Sequence, residues 1–265
     1  MKARIANCLP SNHPWKEQVL VFDSLPSTNT HAIALAKAGA PEGTVVIARH
    51  QTAGRGRMGR SFLSPLDSGL YMSLILRPHC PAQQLMHLTC AAAVAACDAI
   101  EALTGTRPGI KWINDLVLEN RKLAGILTEL GFTGDGLVSY AVVGMGINLH
   151  HTPGQLPPEL ESMVCSLQSA TGQAPELPQL AGAMICSMEK MNQQLFSCRR
   201  EIMERYKADC ITLGREVKII SPQGTRQGKA LDLDQDGALT VLLPDGSKEN
   251  ISSGEVSIRG LWDYV

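Results

Sequence analysis

Three arginines and three glycines lie within Gly54-Arg55-Gly56-Arg57-Met58-Gly59-Arg60. Arginine brings a permanent charge and a planar fork of donors that matches phosphate and carboxylate. Glycine lets a backbone come close to a ligand and take positive φ. Such a loop packs poorly and holds anions well. Read alone, it is equally a solvated basic loop or a weak nucleic-acid patch. The Gly-Lys-Ser/Thr of a Walker loop is missing.

Three further segments carry groups that can do chemistry. Lys111-Trp112-Ile113-Asn114-Asp115 is followed by Arg121-Lys122-Leu123-Ala124-Gly125-Ile126. Lys122 opens an apolar run with small neighbours behind it, so it can neutralise a carboxylate and a phosphate together. Asp115 can help hold Mg²⁺ or accept a proton. In Val143-Gly144-Met145-Gly146-Ile147-Asn148, alternate glycines clear one face of a strand for a planar ligand, and Asn148 ends it. Ser27-Thr28-Asn29 offers capping side chains before a helix. Each piece, taken singly, reads more simply as a surface hairpin, a close strand contact or a helix cap.

The elements that must position these groups follow from periodicity. Val19 to Phe22 reads as a strand and His31 to Ala38 as a helix stopped at Gly39. Val45 to Ala48, leading to Gln51, reads as a buried strand, and Leu70 to Leu76 as the next. Gln83 to Leu103 reads as one alanine-rich helix. Short strands over Gly109–Trp112 and Leu116–Leu118 precede a tight turn at Glu119-Asn120-Arg121. Strands over Leu123–Leu130 and Leu137–Val143 follow. Hairpins in series predict an α+β fold, a mixed, mainly antiparallel sheet covered by helices. His150 to Pro158 reads as a proline-containing loop and Gln179 to Asp209 as helix. From about Leu213 the texture changes to short strands over Val217–Ile220, Lys229–Leu233, Leu239–Leu243 and Val256–Ile258. Glycine turns separate them, as in a small β-barrel.

Composition narrows the classes. The chain has 265 residues, 44% hydrophobic and 18% charged, with a net charge of −1. Any attraction for phosphate must therefore be local. Eight cysteines contain no Cys-x-x-Cys pair and read as reduced thiols of a cytoplasmic protein. No apolar signal segment opens the chain, and Ala91 to Ala102 carries Asp98 and Glu101, so no membrane association is expected.

Taken in order, the four segments closely resemble the biotin–protein ligases, the biotin–[acetyl-CoA-carboxylase] ligases, from about Val19 to the carboxyl end. The resemblance implies a class II synthetase-like catalytic domain over residues 1–212 and an SH3-like barrel over 213–265. It implies a two-step reaction. Biotin and ATP, with Mg²⁺, give biotinyl-5′-AMP, and biotin then passes to a lysine of a biotin carboxyl carrier protein. Ser27, Thr28, Asn29 and Gln51 inherit biotin binding, and Gly54, Arg55, Gly56 and Arg57 cover biotin and the adenylate. Lys122 touches the biotin carboxylate and the α-phosphate. Lys111, Asn114, Asn148, Arg57 and Phe62 fall on the nucleotide side. Lys122, Arg57 and Asp115 carry the chemistry, Asp115 as acceptor of the incoming lysine's proton. Which residues hold Mg²⁺ stays open. A homodimer by sheet extension is one expectation.

The chain departs from the family's pattern in three places. Met58 replaces a common arginine, Ile113 replaces the proline of Lys-Trp-Pro-Asn-Asp and should relax that turn, and Phe62 stands where tryptophan is frequent. About eighteen residues precede the first strand, too few for a helix-turn-helix, so no DNA binding or repression is expected. The rival readings are a lipoate- or octanoate-protein ligase on the same fold, whose Arg-Arg-x-Ser-Gly-Gly-Gly run is absent, and a biotin-sensing DNA regulator.

Overall fold

Gly69-Leu-Tyr-Met-Ser-Leu-Ile-Leu76 is buried along its whole length, which makes it the centre of the architecture rather than an edge. A strand buried on both faces needs strands beside it and layers above and below. The computed structural model describes residues 1–150, 161–221 and 224–252, with the backbone of 257–260. This central strand, β3, lies in a seven-stranded sheet of order β1-β2-β3-β7-β6-β5-β4. The others are β1 (Val19–Leu25), β2 (Val45–Gln51), β4 (Gly109–Lys111), β5 (Asp115–Leu118), β6 (Arg121–Phe132) and β7 (Val138–Asn148). β1 and β2 are parallel and every other neighbouring pair is antiparallel, as the sequence predicts.

The period of two along each strand sorts side chains onto two faces. Val45, Ile47, Met72, Leu74, Val143, Met145 and Ile126 point into the main core. That core is completed by α3 (Leu88–Thr104) and α5 (Leu177–Gln194). The opposite face carries Val46, Ile75 and Val142, packed beneath α2 (Thr28–Lys37) through Ala32 and Ala36. α2 covers only part of this second face. The remainder, over β3, β7 and β6, is where the polar and glycine-rich segments converge.

α3 is apolar almost all round. The span Ala82–Thr104 is long and apolar enough to cross a bilayer, yet 72% of its most apolar window is buried inside the fold. It is the core helix against which α5 and α6 (Arg199–Asp209) pack. The amino-terminal residues, whose role the sequence does not reveal, join the same core. α1 (Lys2–Asn7) buries Ile5, and Leu9 and Trp15 follow it in.

The expected helix boundaries shift where a carbonyl or cap has another partner. The Gln83–Leu103 helix is a 3-10 turn, Ala82–Leu85, followed by α3. The continuous helix expected over Gln179–Asp209 is broken into α5 and α6. Between them the Leu195 carbonyl accepts from the His87 ring at 2.8 Å instead of from a helical N–H. α2 begins earlier than expected, with Ser27 as its cap and Thr28 and Asn29 inside its first turn. A short helix, α4 (Leu167–Thr171), follows the expected proline loop, which from residue 151 lies outside the described residues.

The carboxyl-terminal region forms a second antiparallel sheet, order β11-β10-β9-β8-β12. Its strands are β8 (Glu216–Ser221), β9 (Gly224–Leu233), β10 (Leu239–Leu242), β11 (Lys248–Ile251) and β12 (Ser257–Gly260). Sequence periodicity misses β11, because Lys-Glu-Asn-Ile offers a single apolar residue. This sheet grips the first. Trp112 donates its indole N–H to the Gly237 carbonyl at 2.9 Å, and Lys207 of α6 pairs with Asp232 at 2.8 Å.

His87 links acidity to folding. It is buried, its Nδ1 has no hydrogen-bond partner among the described residues, and burial lowers its pKa below the ordinary histidine value. The folded state therefore holds it neutral while the unfolded chain protonates it below about pH 6.5. The unfolded state then binds more protons, so this contribution is complete above that pH and is lost as pH falls. Between about pH 7 and 5 the wild type should lose stability by up to about 1.4 kcal/mol per pH unit more steeply than His87→Gln. Thermal melts across that range check this. Parallel pH dependences for the two proteins would refute it.

Candidate active site

The floor of the open sheet face is made of residues with little or no side chain. Gly125 of β6 pairs with Gly146 of β7, and Gly144 of β7 pairs with Ser73 of β3. The sequence reading gave the face cleared by Gly144 and Gly146 to a planar ligand. In the structure two side chains of the protein itself lie over that face. A Cβ on Gly144 would lie 1.8 Å from Asn29 Oδ1, and one on Gly146 would lie 2.3 Å from the Phe62 ring. Phe62 also stands edge-to-face with Tyr71 at 6.5 Å and beneath Lys122 Nζ at 5.9 Å.

At one end of the floor stands the amino terminus of α2. The Thr28 backbone N–H donates to Gln51 Oε1 at 2.8 Å and its hydroxyl donates to the same oxygen at 3.1 Å. Gln51 Nε2 donates to Ser64 Oγ at 2.8 Å. These partners fix the amide orientation, because a flip would set N–H against N–H. The Ser73 hydroxyl lies 2.8 Å from Thr28 Oγ1 and 2.6 Å from Asn29 Oδ1. Asn29 Nδ2 donates to the Leu127 carbonyl at 3.1 Å and to Glu129 Oε2 at 2.9 Å. Glu129 in turn receives both ends of the Arg55 guanidinium, at 2.8 and 3.1 Å. An uninterrupted chain of polar contacts thus runs from Gln51 to Arg55.

At the other end, Lys122 Nζ donates to Asp115 Oδ1 at 2.7 Å. Asn114 Nδ2 donates to the same oxygen at 3.1 Å and also to the Ile126 carbonyl at 3.1 Å. Arg57 NH1 donates to Asn114 Oδ1 at 2.9 Å. Burial works against the Arg57 charge and lowers its pKa, while Asp115 acts in the opposite sense. Lys111 is buried and sits across from Asp115 in register. The Glu119-Asn120 turn that returns the chain to Lys122 has positive φ at both residues, the geometry of a tight hairpin.

The arginine loop closes over both ends. Its backbone is zipped by Gly56 N–H to the Arg60 carbonyl at 2.7 Å and Phe62 N–H to the Gly54 carbonyl at 2.9 Å. Gly54, Gly56 and Gly59 have the spacing of a dinucleotide fingerprint. Context excludes that reading, since β2 leads into a 3-10 turn, Arg57–Gly59, and then an antiparallel strand, with no helix opening on the glycines. Arg55 docks to the α2 end and Arg57, two residues on, to the lysine end.

The structure therefore brings Ser27, Thr28, Asn29, Gln51, Gly54, Arg55, Gly56, Arg57, Phe62, Lys111, Asn114, Asp115 and Lys122 around one sheet face. Asn148 reaches it less directly. Its Nδ2 donates to the Cys165 carbonyl at 2.9 Å, and the Cys165 N–H donates to the Lys122 carbonyl at 2.9 Å. Ile113 stands where the sequence reading expects a relaxed turn. It is buried, and its carbonyl accepts from the Tyr206 hydroxyl at 3.2 Å. Sequence reasoning missed Ser73, Ser64 and Glu129. Each gives only a single small signal: Ser73 is the one serine in β3 and Glu129 the one acid in β6.

Chemically, one end offers neutral donors and acceptors in fixed orientation and the other offers Lys122 and Arg57. That layout suits an uncharged polar head and an anionic tail approaching a phosphate. Among the described residues no group of three His, Cys, Asp or Glu forms a metal cage.

Comparison with known proteins gives a consistent picture. The Biotin/lipoate A/B protein ligase family matches residues 21–148 and the Biotin protein ligase C terminal domain matches residues 212–259. The Bifunctional ligase/repressor BirA of Bacillus subtilis (strain 168) is 36% identical, over 89% of this chain and 73% of the relative. The Biotin--[acetyl-CoA-carboxylase] ligase of Paracoccus denitrificans is 34% identical, over 88% of this chain and 98% of the relative. Among solved structures, biotin protein ligase from Aquifex aeolicus in complex with biotin and ATP superposes with a TM-score of 0.78. It is 26% identical and covers 91% of this chain and 98% of that one.

Proposed function

Because the chain belongs to the biotin protein ligase family, we propose that it activates biotin with ATP to biotinyl-5′-AMP and transfers biotin to a lysine of the biotin carboxyl carrier protein of acetyl-CoA carboxylase. The observation that carries this is the docking of one loop onto two differently built ends of a single site, Arg55 to the neutral end and Arg57 to the cationic end.

In this reading Thr28, Asn29 and Gln51, with Ser27 as the helix cap, receive the uncharged ureido head of biotin. The glycine-floored face receives the apolar body, with Phe62 shifting from its resting place over Gly146 to cover ligand. A carboxylate oxygen attacks the α-phosphorus of ATP and pyrophosphate leaves. Two anions repel as they meet, and Lys122 and Arg57 offset that repulsion and stabilise the charge that develops. Lys111, Asn114 and Asn148 line the nucleotide side. Mg²⁺ commonly arrives bound to nucleotide phosphates and needs one or two carboxylates, a requirement Asp115 suits. There it would neutralise phosphate charge. The adenylate is a mixed anhydride, and the closed Gly54–Arg60 loop keeps water from it. In the second step the neutral amine of the acceptor lysine attacks the acyl carbon and AMP leaves. Asp115, which holds Lys122, is our assignment for the proton acceptor.

We place the catalytic domain over residues 1–212 and the smaller domain over 213–265. A homodimer by sheet extension belongs to the same proposal, with β1 and β4 as the edge strands of the large sheet.

The test combines pyrophosphate release with mass spectrometry of an apo carrier protein, in the presence of ATP, Mg²⁺ and either biotin or lipoate. The expected result is biotin-dependent pyrophosphate release and a biotinylated carrier lysine, with lipoate inert. Lipoate-dependent release without biotin-dependent release would assign the protein to lipoate chemistry.

A further inference from the structure

Glu129 is the one acidic side chain that joins the two halves of the neutral end. It lies on β6, seven residues beyond Lys122, on the same sheet face as Gly125 and Leu127. One carboxylate oxygen, Oε2, accepts from Asn29 Nδ2 at 2.9 Å and from Arg55 NH1 at 3.1 Å. The other, Oε1, accepts from Arg55 NH2 at 2.8 Å. The first contact reaches the helix that presents Thr28 and Asn29, and the other two reach the loop that closes the site. Its side chain is 25% exposed and that of Arg55 is 46% exposed. An ion pair so open to water adds little to global stability. A bidentate arginine–carboxylate pair does, however, define an orientation.

We infer that Glu129 is a positioning residue that latches the arginine loop onto α2, so that loop closure and the orientation of Asn29 are set by one carboxylate. The chemistry explains why an acid is needed. Asn29 Oδ1 is taken by Ser73, so its amide nitrogen faces β6 and requires an acceptor. Arg55 brings two donors from the other side. Only a carboxylate accepts from all three without adding a donor of its own. Glutamine at this position would set an N–H against either Asn29 or Arg55. The latch also separates the duties of neighbouring arginines. Arg57 reaches the Lys122 end through Asn114, whereas Arg55 is spent on holding the loop.

This inference rests on the reading of the pocket as a biotin site, so the test has one arm independent of it. In the first arm the ligand-free protein is digested with limiting trypsin, which cuts after Arg57 and Arg60 when the loop opens. Glu129→Gln and Arg55→Ala should each be nicked there about 10-fold faster than wild type, the equivalent of one lost charge-assisted hydrogen bond. The melting temperatures should stay close to that of wild type. In the second arm, with biotin and ATP, the KM for biotin in Glu129→Gln should rise by a larger factor than kcat falls. Adenylate should also escape about 10-fold faster, read as biotin appearing on lysines of a bystander protein. Glu129→Asp should recover part of both effects, and the Glu129→Gln/Arg55→Ala double variant should be no worse than either single one. Wild-type nicking rates in both single variants, or additive effects in the double variant, would overturn the latch. Wild-type protein that forms no adenylate, with the nicking result intact, would instead overturn the biotin reading and leave Glu129 as a loop latch of another enzyme.

Discussion

Lys122→Ala should lose biotin-dependent pyrophosphate release by about 10²–10³-fold, the loss typical of removing one preorganised charge stabiliser from a reacting centre. Lys122 is held by Asp115 at 2.7 Å, and the same Oδ1 accepts from Asn114, whose side-chain Oδ1 accepts from Arg57. Removing the lysine deletes a cation and takes the ammonium from Asp115, which keeps its contact with Asn114. The site then holds one positive charge fewer where anions have to be offset. Lys122→Arg should recover little, because a wide planar guanidinium cannot occupy the compact ammonium's place beside Gly125, whose missing Cβ lies 3.2 Å from Lys122 Nζ. Lys122→Ala/Asp115→Asn should be no less impaired than Lys122→Ala alone, since Asp115 is the carboxylate assigned to Mg²⁺. Biotin binding measured without ATP should weaken far less than turnover in all three. Turnover in Lys122→Ala within about 10-fold of wild type would remove Lys122 from the chemistry.

A single added methyl group at Gly54 should be nearly as damaging. An alanine Cβ there would lie 2.2 Å from the Phe62 carbonyl oxygen, 2.9 Å from Ser64 Oγ and 3.1 Å from Gln51 Nε2. The nearest of these is backbone, so no side-chain rotation relieves the overlap. The Gly54–Phe62 hydrogen bond must stretch, and the Gln51–Ser64 contact that orients the amide shifts with it. A displacement of about 1 Å in such a group can cost on the order of 10²-fold in rate, and Gly54→Ala should lower kcat/KM for biotin by about that factor. Gly59→Ala adds the same methyl group with nothing within 4 Å to meet it, although its φ of +73° adds backbone strain. It should therefore lose less. Steady-state kinetics on both variants decide this. Equal losses would mean that loop conformation matters and the Gly54–Phe62 contact does not.

How much of this was legible beforehand depended on the kind of residue. Arg57, Asp115 and Lys122 were visible because each lies within a run whose composition makes poor packing, whereas Thr28 and Gln51 gained a role only through the family resemblance of the ordered segments. The sheet was visible because β3, β6 and β7 alternate or run apolar long enough to be strands and nothing else. Glu129 and Ser73 were hidden for the opposite reason, since one polar side chain in an apolar strand carries no period. Their partners, Arg55 and Thr28, are 74 and 45 residues away and are named only by the fold. The glycine pair of β7 was legible as cleared space, while the Asn29 and Phe62 side chains that lie over it were not, because a strand pattern records that room exists and not what enters it. The division of the long helix at Leu195 was likewise invisible, because it depends on a histidine 108 residues earlier.

The indole clasp between Trp112 and Gly237 also sets a clock. The two partners are 125 residues apart, so at about 5–20 residues per second the ribosome delivers the second roughly 6–25 s after the first. Through that interval the hairpin carrying Asn114 and Asp115 lacks the strap that holds its tryptophan. The clasp closes only late in synthesis, when the turn carrying Gly237 emerges.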